Sequence, residues 1–474
     1  MKRQSGVLLP VFSLPGPYGC GTFGKNAFHF IDRLKEGGFS IWQVLPFGIV
    51  DEHYSPYMSF SSFAGNPYFI DPDILFEQGL ITEEELIDQE VVYPYLCRYE
   101  EIDSKRMNLL KKAASRFSDV TAVQNFMKEN PLVAGSCRFL ALKEKNGGKR
   151  WQEWTESEPD GETLFAWQFI EYEFHREWKR VRDYAAECGI KILGDLPFYV
   201  SQDSYDVWSS PDQFLLDERN NPTHVAGVPP DYFAENGQLW GNPIYDWDKM
   251  EKDGYKWWKD RMNYVLTMFD GIRVDHFRAF SAFWKIPADS PTAKTGKWVE
   301  GPGRKIIDAF REFESRNKFI LAEDLGIIDD STRELLEYSG YPGMAVIQFG
   351  FGDSPKSPHL PHNYKKNLIA YTGTHDNNTL LGFLQNSNDG IRNEIADYYG
   401  YPSNVHEAVI RSVMMSSADT VILPLQDILG FGADTRINTP GVPDGNWRYR
   451  VTADQLNSAD MRKFRHFNTI YGRI

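Results

Sequence analysis

The chain has 474 residues, enough for one large α/β domain with insertions or two to three ordinary domains, and 42% of them are hydrophobic, which supplies a sizeable core. Its 51 basic and 66 acidic residues leave a net charge of −15, with no long Lys/Arg cluster interleaved with aromatics, and this argues against nucleic acid as a partner. Cys20, Cys97, Cys137 and Cys188 form no CxxC pair and no dense framework, so reduced thiols in a cytoplasmic protein are expected rather than a zinc ribbon or a disulfide scaffold.

At the N-terminus Lys2 and Arg3 imitate the start of a signal peptide, but Pro10, Pro15 and Pro17 break the segment that follows. No apolar stretch approaches the roughly 20 residues of a membrane span, so no membrane association is expected. Short β-branched or apolar runs then recur at Val7 to Val11, Ile41 to Phe47, Ile190 to Leu196, Gly271 to Asp275, Phe319 to Glu323, Ala345 to Phe349, Leu368 to Tyr371 and Val421 to Leu425. Each is followed by a Gly/Pro/Asp-rich loop, and most are separated by helix-sized spacers, which predicts an α/β fold: a (β/α)8 TIM barrel over residues 1–474, enlarged by inserted subdomains. A doubly wound sheet is the alternative, but no G-x-G-x-x-G follows a strand and no GxxxxGK[ST] occurs.

The stretch between Phe47 and Ile190 is too long for one βα loop. Within it, residues 82–148 read as helices (TEEELIDQ, SKRMNLLKKAASRF, TAVQNFMKEN, SCRFLALKEKNG) and predict a mainly helical inserted subdomain. Residues 201–265 predict an inserted loop and helix region near the active site. The final SADMRKFRHFNTIYGRI reads as an amphipathic closing helix. Aromatic residues make up 15% of the chain, including 13 Trp and 24 Tyr, and many lie in turn-like segments beside Asp, Asn, Arg and His. That mixture suits sugar rings, which stack an apolar C–H face on aromatic planes while their hydroxyls need polar partners.

In a barrel the active site is built at the C-terminal ends of the strands, and there the carboxylates recur. Asp195 closes KILGDLPFYV, Asp275 closes GIRVDHF, Glu323 closes FILAEDLG, and His375 and Asp376 follow IAYTGTHDNN. A lone acid after a strand often caps the next helix, and Glu323-Asp324 and Asp376-Asn377-Asn378 both suit that role. A cap, however, needs no arginine two residues upstream. With a period of two, Arg273 and Asp275 share one strand face, His276 follows, and a guanidinium beside a carboxylate favours its charged form. A divalent-metal site would use the acids and histidines as ligands, but no HExxH or EF-hand pattern appears, and no strand-end lysine suggests aldolase chemistry. Glycosyl transfer with retention needs one ionised and one protonated carboxyl group roughly 5 Å apart, and Asp275 beside Arg273 with the less clearly paired Glu323 fits that division best.

Several long stretches resemble the 4-α-glucanotransferases (amylomaltases or disproportionating enzymes) of glycoside hydrolase family 77. They include WQVLPFG, SPYMSFSSFAGNPYFIDP, GDLPFYVSQDSYDVW, VAGVPPDYFAENGQLWGNPIYDW, DGIRVDHFRAFSAFWKIPADSPTAKTGKWVEGPG, LAEDLGIIDDSTRELLEYSGYPGMAVIQF, YTGTHDNNT and QDILGFGADTRINTPGVPDGNWRYR. The resemblance implies Asp275 as the nucleophile of a covalent β-glucosyl intermediate, Glu323 as general acid/base and Asp376 as transition-state stabiliser. His375 and Arg273 would assist at the cleaved sugar and the nucleophile. Tyr57, Asp195, Trp240, Asn446 and Trp447 would contact substrate. Two departures from the family pattern are Gly48 to Tyr54, which lacks the usual glycine-rich lead-in to SPY, and Asn378, where many members carry an acid. The partners implied are maltooligosaccharides, starch- or glycogen-derived α-1,4-glucans and glucose as acceptor. No motif implies a cofactor or metal. A hydrolase or phosphorolytic transglucosylase of the same clan, or a glucan-binding protein without catalysis, are the competing readings, the last disfavoured because all three carboxylates are present.

Overall fold

The computed structural model describes residues 3–230, 235–314, 318–326 and 328–474. Twelve strands are present among them: β1 (Gln4–Leu8), β2 (Ile41–Gln43), β3 (Lys191–Leu196), β4 (His224–Val228), β5 (Gln238–Pro243), β6 (Gly271–Val274), β7 (Ala282–Pro287), β8 (Lys297–Glu300), β9 (Phe319–Ala322), β10 (Gly343–Val346), β11 (Leu368–Tyr371) and β12 (Thr420–Pro424). Eight of these form one parallel sheet in the order β10-β11-β12-β1-β2-β3-β6-β9. At the seam between β9 and β10, the Ala322 N–H donates to the Pro342 carbonyl at 3.0 Å, and the Asp324 carboxylate accepts from the Met344 N–H at 2.6 Å. The sheet is thus a nearly closed α/β barrel, and each of the eight runs read from the sequence contributes a strand. Parallel strands buried on both faces read as continuous apolar runs, which is why they were legible.

The barrel packs against the helix Gly161–Glu187, whose Trp178 meets the Phe47 ring at 4.7 Å and the Phe23 ring at 5.1 Å. Gly194 in β3 has a steric reason to be glycine: a Cβ there would fall 2.2 Å from the Phe269 ring. The same long helix carries buried carboxylates that hold the segment following Tyr57. Glu171 accepts from the Gly65 N–H on both oxygens at 3.0 Å, and Glu177 accepts from the Asp71 N–H at 2.9 Å. Four helices, Glu83–Ile87, Tyr99–Arg116, Val120–Glu129 and Pro131–Lys145, occupy the stretch read as helical, the first opened by a capping box of Thr82 and Glu85.

The region 201–265, expected as loops and helices, also contains β4 and β5. They join β7 and β8 in a second, antiparallel sheet of order β5-β4-β7-β8. HVAGV and QLWGNP carry Gly or Pro inside the strand, so neither shows an alternation that would betray it. On its other edge β4 pairs with β7, which arrives only after the next barrel strand. Among the described residues no helix is long and apolar enough to cross a membrane.

The closing helix Met461–Ile470 buries Met461, Phe464 and Phe467, and Arg473 follows it into the N-terminal end of the barrel. Its guanidinium donates to the carbonyls of Met414 (2.6 Å), Gln4 (3.1 Å), Ser416 (3.3 Å) and Asp419 (3.4 Å), fastening the ends of β1 and β12 together. Arg473→Met fills the space but removes this donor, and although Ser416 keeps Arg3 and Asp419 keeps the Gln4 N–H, it should cost ~1–3 kcal/mol, read as a lower urea midpoint at unchanged slope. An unchanged midpoint would show that water replaces the guanidinium without loss.

Candidate active site

Register places the first contact. Asp195 on β3 lies directly opposite Arg273 on β6, and the guanidinium Nη1 donates to both Asp195 oxygens at 2.9 and 2.8 Å. Its Nη2 reaches Asp275 at 2.9 Å and Glu323 at 3.9 Å. Arg273 and Asp275 therefore share a face, as their spacing requires, but Asp195 takes two of the guanidinium's hydrogen bonds. Tyr57 adds a hydroxyl to the same acid, 2.8 Å from Asp195 Oδ2.

Beyond β6 the chain turns sharply through His276, which adopts the left-handed conformation (φ 47°, ψ 45°). This aims the His276 N–H at Glu323 Oε2 at 2.8 Å, while the Leu325 N–H donates to Oε1 at 2.8 Å. Burial and the negative charge of Asp275, opposed by Arg273 and the two amides, push the Glu323 carboxyl up to about 7. Burial likewise lowers His276 to about 4, so its imidazole is neutral near pH 7. The half-buried Trp240 stands edge-on to that imidazole at 5.0 Å, which puts it beside the turn that follows Asp275.

The loop after β11 brings His375 and Asp376 to the same cleft. His375 is buried and stacked on Tyr57 (5.2 Å, 21°), and its Nε2 lies 3.2 Å from Asp376 Oδ2. Burial opposes the charge on Asp376, but His375 and the amide of Asn438 (2.5 Å) outweigh it and hold the carboxyl below the usual range. Arg436 donates to the Asp376 carbonyl at 2.6 Å, and the Asn438 N–H to the His375 carbonyl at 3.1 Å. Trp447 completes the wall, 5.7 Å from Tyr57 and 5.9 Å from His375.

Neither Glu323-Asp324 nor Asp376-Asn377-Asn378, both suited to capping, supplies a cap. Asp324 pins the barrel seam, and the next helix is capped by Asp329; Asn377 bonds back to Thr374, and Thr379 caps the helix Leu380–Asn386. Asn446 does not join the carboxylates. Its amide accepts from the Thr439 N–H at 2.8 Å and donates to the Val442 carbonyl at 2.6 Å, closing its own loop. Asn438, eight residues earlier, reaches Asp376 instead. It was passed over although it lies in the family-like stretch QDILGFGADTRINTPG. Two more residues escaped the sequence reading because they hold backbone: Gln348 donates to the carbonyls of Thr372 (2.8 Å) and Asn378 (2.9 Å), and Asp427 accepts from Thr372 Oγ1 (2.5 Å) and the Leu380 N–H (2.7 Å). Together they fix the loop carrying His375 and Asp376 from behind.

Comparison with known proteins agrees with this arrangement. The 4-alpha-glucanotransferase family model of glycoside hydrolase family 77 matches residues 9–456. The 4-alpha-glucanotransferase of Clostridium butyricum is 40% identical over 98% of this chain and 99% of its own length, and that of Aquifex aeolicus is 41% identical over 99% of each. Among solved structures, an amylomaltase from Streptococcus agalactiae in complex with acarbose superposes with a TM-score of 0.95 at 36% identity, covering the whole of both chains. On both sequence and fold, the chain belongs to the 4-alpha-glucanotransferase family and carries its glycosyltransferase activity on α-1,4-glucans.

Proposed function

We propose that this chain moves α-1,4-glucan segments between maltooligosaccharides, or onto glucose, by a retaining double displacement. Asp275 attacks the anomeric carbon of the cleaved glucose while Glu323 gives its proton to the departing glycosidic oxygen. The C–O bond breaks, a covalent β-glucosyl ester remains on Asp275, and Glu323 is left as a carboxylate. Glu323 then takes the proton from an incoming 4-hydroxyl, whose oxygen displaces Asp275. Two inversions give overall retention.

The observation that carries this reading is the shared guanidinium. Arg273 Nη2 lies 2.9 Å from Asp275 and 3.9 Å from Glu323. The two facing oxygens are therefore no more than about 7 Å apart, a bound that admits the roughly 5 Å separation of retaining enzymes. Asp275 is ion-paired, while Glu323, raised to about 7, still holds a proton in much of the population at neutral pH. Asp376 and His375 would grip the hydroxyls of the cleaved sugar, with Tyr57, Trp447 and Trp240 offering aromatic faces and Asp195 fixing Arg273 and Tyr57. Acarbose held by the Streptococcus agalactiae amylomaltase supports a glucan-shaped ligand here. The acceptor would lie between residues 231–247 and 436–447; residues 231–234 are outside the described residues. We take residues 1–474 as one catalytic unit acting in the cytoplasm, with 82–148 as a helical subdomain and 201–265 as an inserted region near the active site.

Incubation with pure maltotriose tests the choice of acceptor. Transfer yields glucose together with a ladder of longer maltooligosaccharides. A mixture of glucose and maltose alone would mean that water is the acceptor and the proposal is wrong.

A further inference from the structure

Tyr99 opens the helix Tyr99–Arg116 in the inserted helical region and is buried at 2% exposure. Its ring stacks on Tyr54, with centroids 4.4 Å apart and planes 14° from parallel. Its hydroxyl donates to the Trp447 carbonyl at 2.9 Å. One side chain thus touches two loops that reach the cleft separately. Tyr54 lies three residues before Tyr57, whose ring stacks on His375 and meets the tilted Trp447 ring at 5.7 Å.

Both partners of Tyr99 are backbone outliers. Tyr54 (φ 59°) and Trp447 (φ 64°) hold a left-handed conformation that bulky side chains avoid and that persists only where the surroundings over-determine it. The surroundings here come from the helical region. Leu96 bridges Tyr449, the Cys97 N–H donates to the Arg448 carbonyl at 2.6 Å, and Arg448 pairs with Glu100 while its guanidinium lies over the Tyr54 ring at 5.2 Å and the Tyr99 ring at 5.7 Å. These contacts tie the two segments together without the Tyr99 hydroxyl. The hydroxyl itself fixes the one peptide from which the Trp447 ring projects.

We infer that Tyr99 is a positioning residue for the glucan cleft: through its stack on Tyr54 and its hydrogen bond to Trp447, it sets how the Trp447 ring packs on Tyr57 and His375 in the wall against which a sugar is held. The inference rests on the reading of this cleft as the glucan site. It gives the helical insertion a part in substrate binding without contact to substrate. The Tyr57 and Trp447 rings bind the sugar in both ground and transition states, so their displacement should appear in KM rather than kcat.

The experiment is maltotriose disproportionation with Tyr99→Phe, Tyr99→Leu, Trp447→Gly and the Tyr99→Phe/Trp447→Gly pair. Tyr99→Phe keeps the stack and loses the hydroxyl; it should raise KM ~5-fold with kcat within ~2-fold of the parent, and Tyr99→Leu should raise KM further. Trp447→Gly should raise KM ~10-fold, and adding Tyr99→Phe to it should change KM by less than ~1.5-fold, because both act through one ring. An unchanged KM in Tyr99→Phe, KM effects that multiply in the double variant, or a Tyr99→Leu that lowers only Tm would overturn the inference. If Trp447→Gly itself leaves KM unchanged, the reading of the cleft falls first and the role of Tyr99 falls with it.

Discussion

Asp275→Ala should lower maltotriose turnover by at least ~10⁴-fold, because no other group can take the place of a carboxylate that forms the covalent bond. The fold should survive the change. Asp275 follows the last residue of β6 and its side chain is partly exposed, and its removal does not leave Arg273 without a counter-charge, since both Asp195 oxygens stay within 2.9 Å of Nη1. Urea unfolding should therefore stay within ~1 kcal/mol of the parent. Turnover of the variant near the parental rate, measured as glucose released from maltotriose, would remove Asp275 from the reaction. A large loss of both activity and stability would point instead to a structural role for the Arg273 pair.

The barrel was legible because its strands are short apolar runs flanked by turn signals, yet the boundaries moved where polarity and pairing disagree. The first strand was read from Val7, but β1 begins at Gln4, since Gln4, Ser5 and Gly6 pair with β12 despite their polarity. Ala345 to Phe349 was read as strand, but β10 ends at Val346 and the next four residues turn as a 3-10 helix. The recurring acids were visible because each terminates such a run. Their partners were not. That Arg273 meets Asp195 is a property of the β3–β6 register, and Asn438, Gln348 and Asp427 act on groups that only the path of the folded loop brings near them. Tyr57 and Trp447, named from a likeness, come together at His375, whereas Asn446 was drawn away by its own turn.

Glu323→Gln should cut maltotriose turnover ~10³-fold or more, and the nature of the donor should decide how much of that loss remains. A maltooligosaccharide leaves as an alkoxide unless protonated. Fluoride departs without a proton, so maltosyl fluoride should restore the first displacement in Glu323→Gln while Asp275→Ala stays inactive. The second displacement still lacks its base, so a maltosyl ester should accumulate, seen by mass spectrometry as one maltosyl group on the peptide containing Asp275. The parent should also lose maltotriose activity as pH rises through about 7, where the Glu323 proton is lost, because a general acid works only in its protonated form. With the fluoride donor that alkaline limb of the first step should vanish. The glutamine has one oxygen for two amides, so either the His276 or the Leu325 N–H loses its acceptor, at a cost of ~1–3 kcal/mol. Failure of maltosyl fluoride to revive a folded Glu323→Gln would mean that Glu323 holds the His276 turn in place and the proton comes from elsewhere. Revival with the adduct on Asp275 would assign both carboxylates in one experiment, because only a nucleophile can carry the sugar and only an acid becomes dispensable when the leaving group needs no proton.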